Sequence, residues 1–220
     1  MLAGANIAAI RNGAGAWEVF QFAEAELIGP NQYKLSRLLR GQAGTEQAMA
    51  SPVLAGARFV LLDGAVMQSG MSAEQRGLPL NWRVGPAGRP IDDFTYQTMA
   101  YTPQGMGLRP LSPVHVRALR DASNHDLTIS WVRRTRIGGD SWAQTEVPLS
   151  EVSEVYEVDI RDGQQTVRTL QSNVPQIVYT AAQQNADFTG GAPVTPLSIA
   201  IYQISESYGR GSAREVTLYV

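Results

Sequence analysis

Apolar and polar residues alternate with a period of two along the second half of the chain, from about residue 112 to residue 220. This alternation places every second side chain on one face of a sheet, so it predicts strands. Seven strands are predicted, at residues 114–119, 127–131, 155–160, 167–170, 177–179, 197–201 and 215–220. Seven short antiparallel strands within roughly 100 residues are typical of a two-sheet sandwich.

The turns between these segments refine the fold prediction. Asp162-Gly163 separates two alternating segments and predicts a hairpin, because glycine tolerates positive φ. Gly209-Arg210-Gly211-Ser212 precedes the last segment and is similar to the turn that fibronectin type III domains often carry there. Residues 112–220 therefore resemble a fibronectin type III domain, and we expect a binding or spacer module.

The first half predicts a smaller β domain over residues 1–75. Strands are predicted at 17–22, 25–28 and 32–36, with a hairpin turn at Gly29-Pro30-Asn31, and residues 58–64 predict a buried strand. Five prolines break the pattern later on, so residues 76–111 predict a connecting segment with short strands near 81–84 and 95–101. The whole chain is expected to be all-β.

Composition excludes several classes of protein. The 220 residues suit two domains, and the absence of cysteine excludes disulfides and thiolate metal sites. A net charge of −2 and a pI near 5.7 give no basic footprint for nucleic acid. No apolar run reaches the roughly 18 residues that a membrane span needs, so no membrane span is expected.

Two long motifs carry a resemblance to a known family. Residues 33–46, YKLSRLLRGQAGTE, resemble a segment near the C-terminus of baseplate hub proteins of siphovirus-like tails, in particular the large hub protein of alphaproteobacterial gene transfer agents. Residues 129–142, ISWVRRTRIGGDSW, are similar to the fibronectin-like region of the same proteins, as are residues 146–149 and 184–188. The resemblance covers nearly the whole chain.

The resemblance implies a structural role at the tip of a non-contractile tail. The expected assembly is a homotrimeric hub that closes the tail tube, contacts other tail and baseplate proteins, and carries modules toward the recipient cell. Its expected location is the virion or gene transfer agent particle, after synthesis in the bacterial cytoplasm. Family members are several times longer, with an upstream TIM-barrel-like segment that gives some a glycoside-hydrolase label. That segment is missing here, so we expect a fragment or a split gene and carry over no hydrolase activity.

A search for catalytic groups gives only weak candidates. Asp92-Asp93 and the pair Glu24 and Glu26 are the carboxylate pairs a glycosidase would need, but a solvated loop and a polar strand edge are the favoured interpretations. His115 and His125 are too few for a zinc site without carboxylate help. We therefore expect no enzyme, no metal site and no cofactor.

The segment between the second and third strands of the sandwich is too long for an ordinary turn. It carries Arg133, Arg134, Arg136 and Trp142, and arginine with aromatic side chains is enriched at interfaces. One hypothesis is that this segment docks onto another tail protein or a neighbouring subunit. The alternative is a long hairpin with solvated arginines, in which Trp142 packs on its own sandwich.

A second class of function is carbohydrate binding at the host cell surface. Tyr202 and Tyr208, with Gln203 nearby, are candidates for stacking against sugars close to the last turn. Packing of these tyrosines within their own strands and turns is the favoured alternative. A third class, a fragment of a cell-wall glycoside hydrolase, lacks a convincing acid and base pair.

Overall fold

The computed structural model describes residues 5–139 and 146–220, and all its sheets are antiparallel. The first sheet has the order β3-β2-β1-β4. Its strands are β1 Ile7–Arg11, β2 Trp17–Gly29, β3 Gln32–Gln42 and β4 Phe59–Leu61. The hairpin predicted around Gly29-Pro30-Asn31 is confirmed, and the two strands predicted before it are one continuous strand, β2.

The β2–β3 hairpin extends beyond the rest of the first sheet. Only residues 17–21 of β2 pair with β1, whereas the β2–β3 pairing continues to the turn. Residues 23–36 thus form a projecting two-stranded arm. In the arm Ala25 lies opposite Leu35 and Leu27 opposite Tyr33, alternating with the Glu26 and Lys34 pair, so one face is apolar and the other charged.

The connecting segment contains a separate ribbon of two strands, β5 Leu80–Val84 and β6 Gln97–Tyr101. Both short strands predicted there are confirmed. Trp82 lies opposite Met99 and Leu80 opposite Tyr101, which gives this ribbon one apolar face as well. The ribbon belongs to a sheet of two strands only.

The second half is a sandwich of two facing sheets with the orders β11-β8-β7 and β10-β9-β12-β14. Its seven main strands confirm the prediction, and two short elements accompany them, the helix α1 and the strand β13, which extends the β12 edge. The bounds are β7 Val114–Arg120, β8 Leu127–Val132, β9 Tyr156–Asp162, β10 Gln165–Ser172, β11 Gln176–Tyr179, α1 Ala181–Asp187, β12 Leu197–Ser205, β13 Gly209–Arg210 and β14 Arg214–Leu218.

The core of the sandwich is closed on both sides by the alternating residues of its sheets. Trp131 contacts Tyr156 edge to face, with 5.1 Å between the ring centroids. Ile129, Ile160 and Ile199 are fully or almost fully buried around them. The inward positions of the predicted pattern are therefore the observed core, as the two-sheet architecture requires.

Candidate assembly surfaces

Two of the three candidate arginines of the long segment after β8 hold that segment onto itself. Arg133 donates to the carbonyl oxygens of Val147 and Pro148 and pairs with Glu146 at 3.0 Å. Arg136 pairs with Glu151 at 3.1 Å. Their side chains are only 11% and 17% exposed, so the solvated alternative does not describe them. Trp142 lies outside the described residues, and docking onto a partner protein stays a prediction.

The third arginine joins the sandwich to the first sheet. The Arg134 guanidinium contacts both carboxylate oxygens of Glu46, with Nη1 to Oε1 at 2.7 Å and Nη2 to Oε2 at 2.9 Å. Arg134 also donates to the Ser112 carbonyl and hydroxyl oxygens. A two-pronged pairing of this kind fixes orientation as well as distance. Glu46 belongs to the RGQAGTE motif at residues 40–46.

Tyr208, a candidate for sugar stacking, lies at the same junction. The guanidinium carbons of Arg76 and Arg109 lie 4.7 Å and 5.6 Å from the centre of its ring. Arg109 also donates to the Tyr208 hydroxyl at 3.0 Å and to the Gln47 side chain at 2.6 Å. Cation–π contacts with a ring are favourable at this range, so Tyr208 serves as the centre of an intramolecular contact.

Two glycines allow the backbones to approach closely at this junction. A Cβ at Gly44 would overlap the carbonyl oxygen of Met106, and Gly44 has a positive φ of 77°. A Cβ at Gly211 would lie 2.7 Å from the carbonyl oxygen of Pro110. Glycine is the residue that tolerates both demands. We call the set of residues 44–47, 105–112, 134 and 208–212 the joint.

Tyr202, the other candidate tyrosine, is covered by arginine. The Arg210 guanidinium carbon lies 4.6 Å from the centre of its ring, and Arg161 donates to its hydroxyl. Arg210 also pairs with Asp159, whose pKa burial would raise but the hydrogen bonds from Arg210 and Thr169 lower. Neighbouring Gln203 is buried. The arrangement favours packing over sugar stacking at this end of the sandwich.

The first sheet exposes an apolar groove instead of covering it. Among the described residues of this sheet, Ala8, Phe20 and Phe22 form a small buried cluster, with Ile10 and Leu35 packed against it. Beside this cluster lies a groove of about 520 Å³. It is lined by Phe22, Ala25, Tyr33, Leu35, Phe59 and Leu61. The prediction that the strand at residues 58–64 is buried is wrong. The strand β4 is an edge strand of a single-layered sheet, and its residues Phe59 and Leu61 are exposed.

The β5–β6 ribbon exposes apolar side chains in the same way. A smaller groove of about 190 Å³ on its face is lined by Met71, Trp82, Val84, Met99 and Tyr101 among others. The loop that joins β5 and β6 also exposes Ile91 and Phe94. Contiguous exposed apolar surface on a folded protein marks sites of contact with other molecules. The sequence signal for this surface is the alternation at 80–84 and 97–101, which we read only as a pair of short strands.

The candidate catalytic groups take part in local contacts. Asp93 accepts from the Thr95 backbone N–H at 2.9 Å and from its hydroxyl at 2.6 Å. Glu24 pairs with Arg37 at 3.3 Å, and Glu26 lies 4.0 Å from Lys34. The structure places His115 and His125 at positive φ, in a strand irregularity and in a turn.

Residues 5–139 and 146–220, which the structure describes, hold no cluster of three or more His, Cys, Asp or Glu side chains that could bind a metal ion. None of their helices has the length and apolar character needed to cross a bilayer.

Sequence reasoning missed most of the joint. Glu46, Arg109 and Ser112 of the joint were not candidates, nor was Arg76 beside it, although Arg76 and Arg109 lie in the proline-broken segment and Ser112 directly follows it. The available signal was the glycine spacing of the RGQAGTE motif, which indicates close backbone approach but not its partner.

Comparison with known proteins finds a family-model match in the first part of the chain. Residues 1–60 match a family model described as Rcc01698-like, C-terminal, which covers about a quarter of the chain. No curated protein matches the chain. Among solved structures, domains d3–d4 of the rat CD45 extracellular region are 9% identical with a TM-score of 0.37. That match covers 90% of this chain and 94% of the other, but the likeness is too weak to support a statement about fold or function. The family match therefore supports a protein associated with gene-transfer-agent or phage particles.

Proposed function

We propose that this chain is a non-enzymatic structural component of a phage-like tail tip. In this proposal the first sheet and the β5–β6 ribbon pack against neighbouring proteins of the baseplate hub. The fibronectin type III-like sandwich is presented for subunit or cell-surface contact. The observation that carries the proposal is the apolar groove of the first sheet, whose lining includes the exposed side chains of Tyr33, Phe59 and Leu61.

Two further observations support the proposal. Every residue that lines the groove except Leu61 lies within the residues that match the Rcc01698-like family model, so the matched region and the apolar surface overlap. The joint ties the sandwich to the first sheet through Arg134, Glu46 and Tyr208. These contacts would hold the sandwich in a fixed orientation relative to the hub, which is what a structural component requires.

The assembled form we propose has three copies around the tail axis, as the resemblance to hub proteins implies. Its location is the tail tip of the particle. Quantitative mass spectrometry of purified particles tests this arrangement, and three copies per tail are expected. A count that is not a multiple of three would contradict the trimeric part of the proposal.

The groove itself is tested with the double variant Phe59→Ser, Leu61→Ser in cells that make the particles. We expect at least a tenfold loss of the chain from purified particles, because the packing surface has become polar. The control is Leu119→Ser, which changes an apolar and even more exposed side chain on the sandwich and should leave incorporation unchanged. Absence of the unaltered chain from particles, or normal incorporation of the double variant, would overturn the proposal.

A further inference from the structure

The first sheet places two arginines side by side on neighbouring strands. Arg11 of β1 lies opposite Trp17 of β2, and on its other side the Arg11 N–H donates to the Arg58 carbonyl oxygen at 2.9 Å. Arg58 directly precedes β4 and continues the register in which Ala9 faces Val60. Side chains directly opposite each other point to the same face of a sheet, so Trp17, Arg11 and Arg58 share one face. We call these three residues the row.

The row lies on the face of the first sheet that is opposite the apolar groove. Neighbouring residues of a strand point to opposite faces, and Phe59, which lines the groove, directly follows Arg58. The described residues that strand pairing adds to the face of the row, none of them acidic, are Ile7, Ala9, Val19, Gln21 and Val60. The described part of this face is therefore positively charged.

Both guanidinium groups of the row lack a carboxylate partner in the part of the chain that the structure describes. Arg11 and Arg58 are exposed, and the one side-chain hydrogen bond of the pair runs from Arg11 Nε to the Gly15 carbonyl oxygen at 3.0 Å. Both Nη groups of Arg11 stay free to donate. Like charges directly opposite each other on neighbouring strands destabilise a sheet, so the row favours an external anion between its two arginines.

Trp17 extends the row with an aromatic ring that is 37% exposed. Arginine and tryptophan are the residues most often found at the centre of protein–protein contacts. The row lines neither of the two grooves described above, and sites for free small molecules are mostly concave. A protein segment therefore fits the row better than a free small anion does.

The charge of the whole chain argues against a phosphate polymer or a lipid surface as the partner. Its net charge is −2. An anionic membrane is usually bound through a cluster of about four to eight basic residues, and nucleic acids are also bound through many phosphate contacts. Two arginines do not supply such a cluster, whereas they are sufficient to pair with two carboxylates of a protein.

We propose that the row binds an acidic segment of another protein, with one carboxylate on each arginine and an apolar side chain on Trp17. Successive Cα atoms of the row are about 4.5 Å and about 5.5 Å apart, as in the two kinds of antiparallel pair. Alternate residues of an extended segment are roughly 6.6 Å apart, a difference that long side chains accommodate. An extended segment with the pattern apolar-x-acidic-x-acidic, lying across the strands, therefore matches the row. This inference goes beyond the proposed function, because it concerns the opposite face of the sheet.

Nuclear magnetic resonance titration of the full, isotope-labelled chain with a synthetic peptide tests the site. The probe is Ser-Leu-Ser-Glu-Ser-Glu-Ser, and the signals followed are the Trp17 indole N–H and the Arg11 Nε–H. Both should shift and reach saturation at an ionic strength of about 20 mM, and about 0.5 M salt should remove most of the shift because it screens exposed charges. The same peptide with glutamine in place of glutamate should shift neither signal.

Two pairs of substitutions locate the binding on the row. The variant Arg11→Gln, Arg58→Gln should bind the acidic probe at least about tenfold more weakly, followed at the Trp17 indole, with unchanged circular dichroism. The matched control is Arg37→Gln, Arg117→Gln, which removes the same charge from two exposed positions elsewhere and should bind the probe normally.

A charge swap gives the decisive result. The variant Arg11→Glu, Arg58→Glu should no longer bind the acidic probe and should bind the peptide in which lysine replaces glutamate. The unaltered chain should not bind that lysine peptide. Since the swapped variant gains a ligand, its result cannot come from a loss of folding.

Shifts that are absent, or equal for the acidic and the neutral peptide, would overturn the inference. Inorganic phosphate that shifts both signals at the concentrations the peptide needs would also overturn it, because the row would then be a general anion site. Arginine-dependent binding to phosphatidylglycerol vesicles without binding of the acidic probe would overturn it in favour of a membrane contact. These measurements use the purified chain, so they are separate from the particle experiment that tests the proposed function.

Discussion

The two halves of the chain use the same alternating strands and reach opposite outcomes. Among the described residues, twelve of the seventeen buried hydrophobic side chains lie in the sandwich, from residue 112 onward. Nineteen of the twenty-six exposed large hydrophobic side chains lie before it. The sandwich therefore buries its own apolar faces, whereas the first half leaves its apolar faces exposed.

The difference lies in the number of layers. Each sheet of the sandwich faces a second sheet, so an inward residue such as Ile129 is covered on all sides. The first sheet is a single layer, and the β5–β6 ribbon is a two-stranded sheet of a kind that is marginally stable alone in water. An amphipathic strand thus specifies that a face is to be buried but not which chain buries it.

The largest expected effect comes from a pair of truncations that measures this contrast. Ile129→Ala removes a fully buried side chain and should lower the free energy of unfolding of the sandwich by about 2–5 kcal/mol. Leu61→Ala on the groove should cost less than about 1 kcal/mol, because Leu61 is already 42% exposed. Urea titration followed by circular dichroism gives both values. Equal losses would show that the groove is a closed core and would remove the contrast.

The next effect concerns the joint that connects the halves. Arg134→Ala should lower stability by about 1–3 kcal/mol, since the partly buried Glu46 carboxylate would lose its charged partner. Limited proteolysis should then cut faster within residues 105–112. Arg37→Ala is the matched control, because its contact with Glu24 is exposed. A double variant with Glu46→Ala should show coupling between the two positions, and strict additivity would mean that this pair does not hold the joint.

Much of the fold could be predicted from the sequence because the sandwich is locally consistent. Most of its seven strands have period-two alternation, and Asp162-Gly163 fixes a hairpin. Helix α1 was missed although its capping box was present, with Thr180 accepting from the Gln183 backbone N–H and the Gln183 side chain accepting from the Thr180 backbone N–H. Seven residues are too few to show a helical period.

The candidate surfaces were less predictable because they depend on contacts between distant residues. The arginines after β8 were candidates for docking onto another protein, whereas the contact of Arg134 with Glu46 lies within the chain, spans 88 positions and leaves no periodic signal. Packing was the favoured interpretation of Tyr208, but the sequence around it gives no indication that its partners are Arg76 and Arg109. Exposure of the groove was missed for a related reason: alternation predicts an apolar face and is silent about whether a second layer covers it.

A smaller effect is expected from the sandwich's buried carboxylate at Asp187, which tests whether the sandwich also pairs its own buried charges. Asp187 accepts from Arg168 at 2.6 Å and 2.7 Å and from the Tyr179 hydroxyl at 2.8 Å. The Arg168 hydrogen bonds, with the one from Tyr179, outweigh burial and lower the Asp187 pKa. The carboxylate therefore stabilises the fold at pH values above its unfolded pKa of about 3.9, and this contribution is lost as the pH falls through the lower folded value.

Asp187→Asn measures that contribution. The variant should be less stable than the unaltered chain by about 1–2 kcal/mol at pH 7, and the gap should close as the pH approaches about 2. Urea midpoints at the two pH values give the comparison. Asp162→Asn, at an exposed position in the β9–β10 hairpin, is the control and should show little gap at either pH. If the difference in stability between the variant and the unaltered chain did not change with pH, the variant would act through the packing of its side chain and not through the lost charge.

The smallest effect is expected on the arm of the first sheet, where a conspicuous sequence change should hardly matter. Leu27 is 63% exposed and faces Tyr33 across the arm, so Leu27→Thr keeps a strand-compatible residue while removing apolar surface that nothing covers. The free energy of unfolding should stay within about 0.5 kcal/mol, measured by urea titration with circular dichroism. The same change at Leu127, which is fully buried in the sandwich, should be strongly destabilising. If both changes were equally costly, the arm would already be packed within the chain and would have no face left to offer a partner.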